Sequence, residues 1–331
     1  MTTADLAGHL QRFFADRLMG QLGASAHTVA SYRDTFRLLL GFATKRLQCQ
    51  PSRLRLEQID NALLNAFFKH LEQDRHNSVR TRNNRLSAIH AFFRYVCLND
   101  PPLALHCQRV LAMPSKRYEH RPVEFLTAEE TAALLNTPDP ATWIGRRDRT
   151  LLQVAVQTGL RNAELTSLRR QDVHLGTGAH VRCLGKGRKQ RCTPLRPDVA
   201  TLLGQWLSEQ SGEPTSPVFS TARGDSLSPD ALQRLVARHL KSAAQACLSL
   251  KTKHVTPHSL RHTAAMELLR RGVDLTVIAL WLGHESTQTT QIYLHADMSL
   301  KERALAHAAP NGIAPKRYRP PDPLLRFLES L

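Results

Sequence analysis

No run of about 18 apolar residues occurs in the chain, so no membrane-spanning helix is expected. The N-terminus has no basic segment leading into an apolar stretch, which gives no sign of export. Six cysteines, Cys49, Cys97, Cys107, Cys183, Cys192 and Cys247, make no C-x-x-C pair and no zinc spacing. They read as reduced packing residues of a cytoplasmic protein, even though Cys183 and Cys192 fall on opposite arms of one candidate hairpin. A glycine-rich phosphate loop and a carboxylate cluster are both missing, so nucleotide-driven and two-metal chemistry have no motif to rest on. Acidic residues are scarce too: 28 Asp+Glu stand against 45 Lys+Arg, a formal charge of +17. That excess favours a polyanionic partner, nucleic acid first, although a basic surface also serves solubility alone.

A length of 331 residues accommodates two domains with cores of their own. Residues 3–98 read as helices. Val29, Tyr32, Phe36, Leu39 and Leu40 follow helical spacing, as do Leu63, Leu64, Phe67, Phe68 and Leu71, and then Leu86, Ile89, Phe92, Phe93 and Val96. The last of these helices begins with SVRTRNNR at 78–85, which sets Arg80, Arg82 and Arg85 where arginines oppose the helix dipole. A phosphate backbone explains them, and so does a solvated charged face. Residues 99–125 carry four prolines and the cations Lys116, Arg117 and Arg121, the composition of an interdomain linker. The expected plan is a helical domain over 1–106, a linker over 107–124, a second domain over 125–309 and a C-terminal tail over 310–331.

In the second domain, Thr127 and Glu130 make a capping box, and the following helix, RRDRTLLQVAVQTGL, ends near Gly159 just before Arg161. Glu164, three residues on, is expected to orient Arg161 or satisfy backbone donors. Residues 179–195, broken by Gly185 and Gly187, suggest a β-hairpin with Lys186 at its tip. The fold class is therefore mainly α with a small β-hairpin or sheet.

The organising stretch is TPHSLRHTAAMELLRRGVDLTVIALWLGHESTQTTQIYLHAD, residues 256–297. Thr256 fits an N-cap, Pro257 the first helical position and Gly272 the stop, with Leu260, Ala264 and Leu268 as the buried stripe. Spacing of three sets His258 beside Arg261. A second helix, Asp274 to Leu282, is apolar almost all round and so is expected to be buried, with Gly283 turning the chain at His284. Thr287 to Leu294 suits a short helix carrying Tyr293. His262 and His295 lack a partner at a telling spacing and read as surface or packing residues.

His-x-x-Arg, Leu-Gly-His and Thr-x-x-Tyr thus occur in order, with 23 residues from Arg261 to His284 and 9 from His284 to Tyr293. This set resembles the tyrosine recombinases, the phage-integrase and Xer-like family. TGLRNAEL at 158–165 is similar to the family's first arginine motif, and LGKGRKQR at 184–191 to its lysine hairpin. The resemblance implies a catalytic set of Arg161, Lys186, His258, Arg261, His284 and Tyr293, with Lys189 the second choice for the catalytic lysine. In it Tyr293 forms a 3′-phosphotyrosine, Lys186 protonates the departing 5′ oxygen, His258 is the candidate base and His284 donates to the phosphate. It further implies a SAM-like, DNA-gripping N-terminal domain, with DNA contacts from Arg80, Arg82, Arg85, Lys116, Arg117, Arg121 and Lys189. No metal or nucleotide cofactor is implied. The expected partners are double-stranded DNA, further copies in a homotetramer that exchanges C-terminal tails, and in some systems a partner recombinase. A type IB topoisomerase and an inactive DNA-binding accessory protein are the alternatives.

Overall fold

The computed structural model describes residues 6–119, 123–185, 190–284 and 290–293, and the chain divides after His120 into two compact units. Among the described residues, no helix is long and apolar enough to cross a membrane, and no group of three or more His, Cys, Asp or Glu is placed to hold a metal ion.

In the N-terminal unit, Leu6–Arg12 (α1) runs into a π-helix over Phe13–Gln21. Ala26–Leu47 (α2), Asn61–Gln73 (α3) and Val79–Asn99 (α4) follow. Each opens on a short polar cap: Ser25, Asp60 and Ser78 accept the N–H of Thr28, Leu63 and Thr81, satisfying donors a helix start leaves open. The apolar stripes of α3 and α4 are buried throughout, whereas on α2 only Phe36 and Leu39 of the expected set are fully covered. Edge-to-face contacts of Phe92 with Phe13 (5.5 Å) and Phe36 (5.2 Å) join α4 to the π-helix and α2.

The expected boundary at 106 falls inside a helix, Ala104–Leu111 (α5). Cys107, Val110 and Met113 are buried in the N-terminal core, so the segment from 107 to 113 belongs to this unit. Proline suits a helical first turn as well as a linker, and Pro101 and Pro102 open a short 3₁₀ turn leading into α5. Further along, Asn83 accepts the Lys116 N–H and donates to its carbonyl, while the Lys116 ammonium pairs with Glu72 at 3.0 Å.

The second unit opens with the capping box of Thr127 and Glu130 on Ala128–Leu135 (α6), followed by Trp143–Thr158 (α7), closed by Gly159 in the left-handed region, and Asn162–Ser167 (α8). Val173–His174 (β1), His180–Leu184 (β2) and Gln190–Pro194 (β3) form an antiparallel sheet in the order β1-β2-β3. The β2–β3 register pairs Arg182 with Cys192 and Cys183 with Arg191, so the two cysteines are not opposite each other and both are free thiols. Pro197–Ser208 (α9), Pro229–Ala246 (α10), Pro257–Arg270 (α11) and Leu275–Leu282 (α12) complete it, with a helical turn at 290–293. One core gathers α6 to α10 around Leu151, Leu152, Val181, Trp206 and Val236; a smaller one joins Ala265, Met266, Leu269, Ile278, Leu282 and Tyr293.

Capping on α11 and α12 follows the sequence closely, with Thr256, Pro257, Asp274 and Gly283 in the expected places. Burial does not. Ile278, Ala279 and Leu282 face the core, but Val277 is 48% and Leu280 72% exposed. The eight-residue helix lies with one side on α11, and no other described element covers its outer face.

Candidate active site

Two left-handed glycine turns hold the arginines. Arg261, only 2% exposed, donates from Nη1 to the Gly159 carbonyl (2.7 Å) and from Nη2 to that of Leu282 (2.7 Å). Arg161 caps α8 and donates from Nη2 to the Gly283 carbonyl (2.7 Å). Gly159 has φ +63°, and a Cβ there would sit 2.7 Å from Leu282 Cδ2, so glycine lets α11, α12 and the end of α7 close together. Both guanidinium groups therefore take their positions from backbone carbonyls. Burial, reinforced by the charge of Arg161, lowers the Arg261 pKa to about 10, which leaves it charged at neutral pH.

Glu164 organises the second arginine. Its carboxylate accepts the Arg161 backbone N–H (2.7 Å) and Nη1 (2.8 Å), fulfilling both roles expected of it. A third partner was not expected: Arg191 on β3 donates to both Glu164 oxygens at 2.9 and 2.7 Å. Burial alone would raise the Glu164 pKa, but the hydrogen bonds from Arg191 and the Arg161 backbone outweigh it and bring the value down to about 2.

His258, in the first turn of α11, lines a cavity of about 450 Å³ with Arg161, Asn162, Ala163, Gln233 and Arg261. Across the Gly283 turn, His284 Nδ1 lies 2.8 Å from Thr290 Oγ1. Burial and the charges of Arg261 and Arg161 lower its pKa to about 4, so the ring is neutral near pH 7.

Tyr293 is 1% exposed, and its hydroxyl lies 2.9 Å from His262 Nδ1. The sequence left His262 among surface or packing residues; it is half-buried, meets the His258 ring edge-on at 4.3 Å and faces the phenol. Its one sequence signal was the four-residue step from His258, which puts both rings on one side of α11. Burial, then His258 and Arg261, lowers the His262 pKa to about 3. Burial raises that of Tyr293 to about 12, with Arg261 opposing.

The structure thus brings Arg161, His258, Arg261, His284 and Tyr293 into one neighbourhood, built from α8, α11, the Gly283 turn and the turn at 290–293. Lys186 and Lys189 lie outside the described residues, between the ends of β2 and β3, as do Arg121 and residues 310–331. In the N-terminal unit, Arg80 and Arg117 are exposed and Arg85 is half-buried. Arg82 is 8% exposed: it lies over the Phe68 ring at 4.3 Å and donates to the Pro114 carbonyl, so its guanidinium is engaged internally. Four further cations, Arg37, Lys45, Arg46 and Arg75, line a cavity of about 490 Å³ beside Phe42 and His70.

Residues 124–299 match the phage integrase family and residues 10–98 its N-terminal SAM-like domain. A Sinorhizobium fredii protein designated integrase/recombinase y4rC is 52% identical over 99% of each chain. The tyrosine recombinase XerC of Pelobacter propionicus is 31% identical, over 92% of this chain and 96% of its own. Among solved structures, XerH site-specific recombinase bound to palindromic difH substrate superposes with a TM-score of 0.69 at 23% identity, over 86% of this chain and 80% of that one. A lambda integrase tetramer bound to a Holliday junction gives 0.61 at 18% identity, over 88% and 78%. At those identities the two structures speak for the fold.

Proposed function

Because this chain belongs to the phage integrase family of tyrosine recombinases, we propose that it cuts and rejoins DNA at specific sites, Tyr293 carrying the 3′-phosphotyrosine and Arg161 and Arg261 the scissile phosphate. The observation that carries this reading is that Arg161, Arg261 and His258 line one cavity, with both arginines tied to turn carbonyls. Attack on a phosphodiester builds negative charge on its oxygens, and donors already fixed stabilise that charge without a reorganisation cost. Arginine offers a planar fork matched to phosphate.

His284, neutral at working pH, is suited to donate a hydrogen bond to the phosphate. A ring that accepts the Thr290 hydroxyl at Nδ1 carries its own proton on Nε2. Lys186 has the role of protonating the departing 5′ oxygen. His258 takes part at the phosphate, in the cavity it lines with Arg161 and Arg261. The bond energy stays in the phosphotyrosine, so the free 5′ hydroxyl reverses the step without metal or nucleotide.

Double-stranded DNA is the partner, with Arg80, Arg85, Arg117 and the Arg37, Lys45, Arg46 and Arg75 group as candidate backbone contacts in the N-terminal unit. Assembly as a homotetramer with exchanged tails draws support from a mainly apolar cavity of about 410 Å³ lined by Leu126, Leu135, Val156, Leu268 and Trp281, with Arg196, Glu267 and Arg271 also in its wall. The tail's own apolar residues, Leu324, Leu325, Leu328 and Leu331, suit such a cavity. The cytoplasm is the compartment this reading gives it.

The deciding experiment traps genomic fragments on the purified protein, sequences them, and incubates a synthetic duplex of the recovered sequence with wild type and Tyr293→Phe. Wild type forms a covalent adduct; the variant binds with unchanged affinity and forms none. An adduct that persists in Tyr293→Phe moves the nucleophile elsewhere.

A further inference from the structure

We propose that His262 is the catalytic group that takes the proton from the Tyr293 hydroxyl as the tyrosine attacks, a deepening of the reading above that rests on it. The geometry carries the inference. Nδ1 of His262 stands 2.9 Å from the Tyr293 oxygen, the atom that reacts. Tyr293 is almost fully buried, so bulk water is a poor competitor for that proton. In the neutral ring with its own proton on Nε2, the phenol donates to Nδ1, and the environment keeps the ring neutral, because burial and the neighbouring His258, Arg261 and His284 disfavour its cation.

The position of His262 is not incidental. It sits one turn along α11 from His258, whose ring meets it edge-on. Arg261 is its chain neighbour, and that guanidinium is locked by the Gly159 and Leu282 carbonyls. α11 thereby presents the phosphate ligand and the proton acceptor from consecutive residues, and a rigid helix sets their spacing.

The step balances. As the Tyr293 oxygen forms its bond to phosphorus, its proton passes to His262 Nδ1; the bond from phosphorus to the 5′ oxygen breaks and that oxygen takes a proton from Lys186. The groups facing His262 are His258 on its own helix, Arg261, His284 across the Gly283 turn and Tyr293. In the free protein their charges hold the basicity of His262 down. A phosphodiester bound by Arg161 and Arg261 brings an anion into the same neighbourhood and raises it, so proton acceptance is switched on by DNA. On rejoining, the 5′ hydroxyl gives its proton back to Lys186 as it attacks phosphorus, the bond from phosphorus to the Tyr293 oxygen breaks, and His262 returns its proton to that oxygen.

The test compares wild type, His262→Ala and His262→Asn on two duplexes of the trapped sequence, one with the natural 5′ oxygen and one with sulfur in its place. Sulfur leaves without an acid, so this substrate isolates activation of the nucleophile from protonation of the leaving group. Asparagine offers an oxygen near the Nδ1 position, keeping the hydrogen bond to Tyr293, but does not accept a proton. Both variants are expected to bind DNA as wild type does and to form adduct roughly 10²- to 10⁴-fold more slowly on either substrate, the range of general base catalysis. Lys186→Ala serves as the contrast, recovering on sulfur alone. His262→Asn at the wild-type rate overturns the proposal, since placement of the phenol would then be the whole contribution. Recovery of His262→Asn on the sulfur substrate overturns it by shifting the histidine to the leaving group, and a faster His262→Ala overturns it by making the contact a restraint. Failure of wild type to form any adduct strikes the underlying reading, and Tyr293→Phe run alongside separates the two cases.

Discussion

Arg191 and Glu164, 27 residues apart in sequence, meet through two parallel hydrogen bonds of 2.9 and 2.7 Å, and the same carboxylate holds the Arg161 guanidinium at 2.8 Å. The relationship links β3 to Arg161, the arginine proposed to hold the scissile phosphate. Arg191 also packs against the Gly283 turn, where an added Cβ would come within 2.7 Å of its Nη1. One side chain therefore sets the hairpin, the carboxylate and the turn before His284 relative to each other.

Arg191→Met is expected to leave Glu164 with Arg161 as its remaining guanidinium partner and to cost about 3 kcal/mol of stability, as for one member removed from a buried pair. Adduct formation should fall as well, because Arg161 is drawn onto the carboxylate. Arg191→Lys should recover part of both losses. Thermal unfolding alongside the cleavage assay checks this; an unchanged midpoint in the methionine variant would show that the pair contributes nothing.

Gly159→Ala should destabilise by roughly 2 to 4 kcal/mol, combining the left-handed strain with the collision against Leu282. Its carbonyl also anchors Arg261, so adduct formation should drop by more than the folded fraction does. Denaturant unfolding gives the first quantity, and adduct yield per folded molecule the second.

Acid should unfold the second unit earlier than its carboxylates alone would dictate. His262 and His284 have folded pKa values near 3 and 4 against about 6.5 unfolded, so the unfolded chain binds more protons and stability falls as pH drops from 6.5 towards 4. Glu164, near 2 folded against 4.5 unfolded, adds a loss of the same sign below about pH 4.5. Unfolding free energy measured from pH 7 to 4 should therefore slope downward, and His262→Asn should flatten the upper part of that slope. An unaltered slope would mean that His262 is not held neutral by the fold.

Arg80 and Arg82 should separate cleanly. Arg80→Ala is expected to weaken DNA binding and to reduce the magnitude of the log-log salt slope by about 1, with stability shifted by less than about 0.5 kcal/mol. Arg82→Ala should cost about 2 kcal/mol of stability through the lost Phe68 and Pro114 contacts, with the salt slope unchanged. Salt titrations of binding, paired with melting curves, distinguish the two; a salt slope that moved with Arg82 would place its guanidinium on DNA after all.

Much of the molecule is written locally. The stripes of α3 and α4, the caps at Thr127 and Thr256, the helix starts at Ser78 and Asp274, and the stops at Gly159 and Gly283 each depend on a few adjacent residues, so periodicity and capping chemistry are enough to place them. Local signals failed where one residue type suits two settings. Prolines 101 and 102 looked like a linker and open a helix, and α12 looked buried all round while Val277 and Leu280 face outward.

By itself the sequence determined the chemistry available, namely which residues are arginine, histidine, lysine and tyrosine and the order in which the chain presents them. Tertiary structure decided which of them touch. Arg82 is turned inward by a ring and a carbonyl, Arg191 finds Glu164 from 27 residues away, and His262 meets Tyr293 from 31. Such pairings come from packing between distant segments, where burial removes water and leaves each polar group to find a partner, and no spacing along the chain encodes that choice.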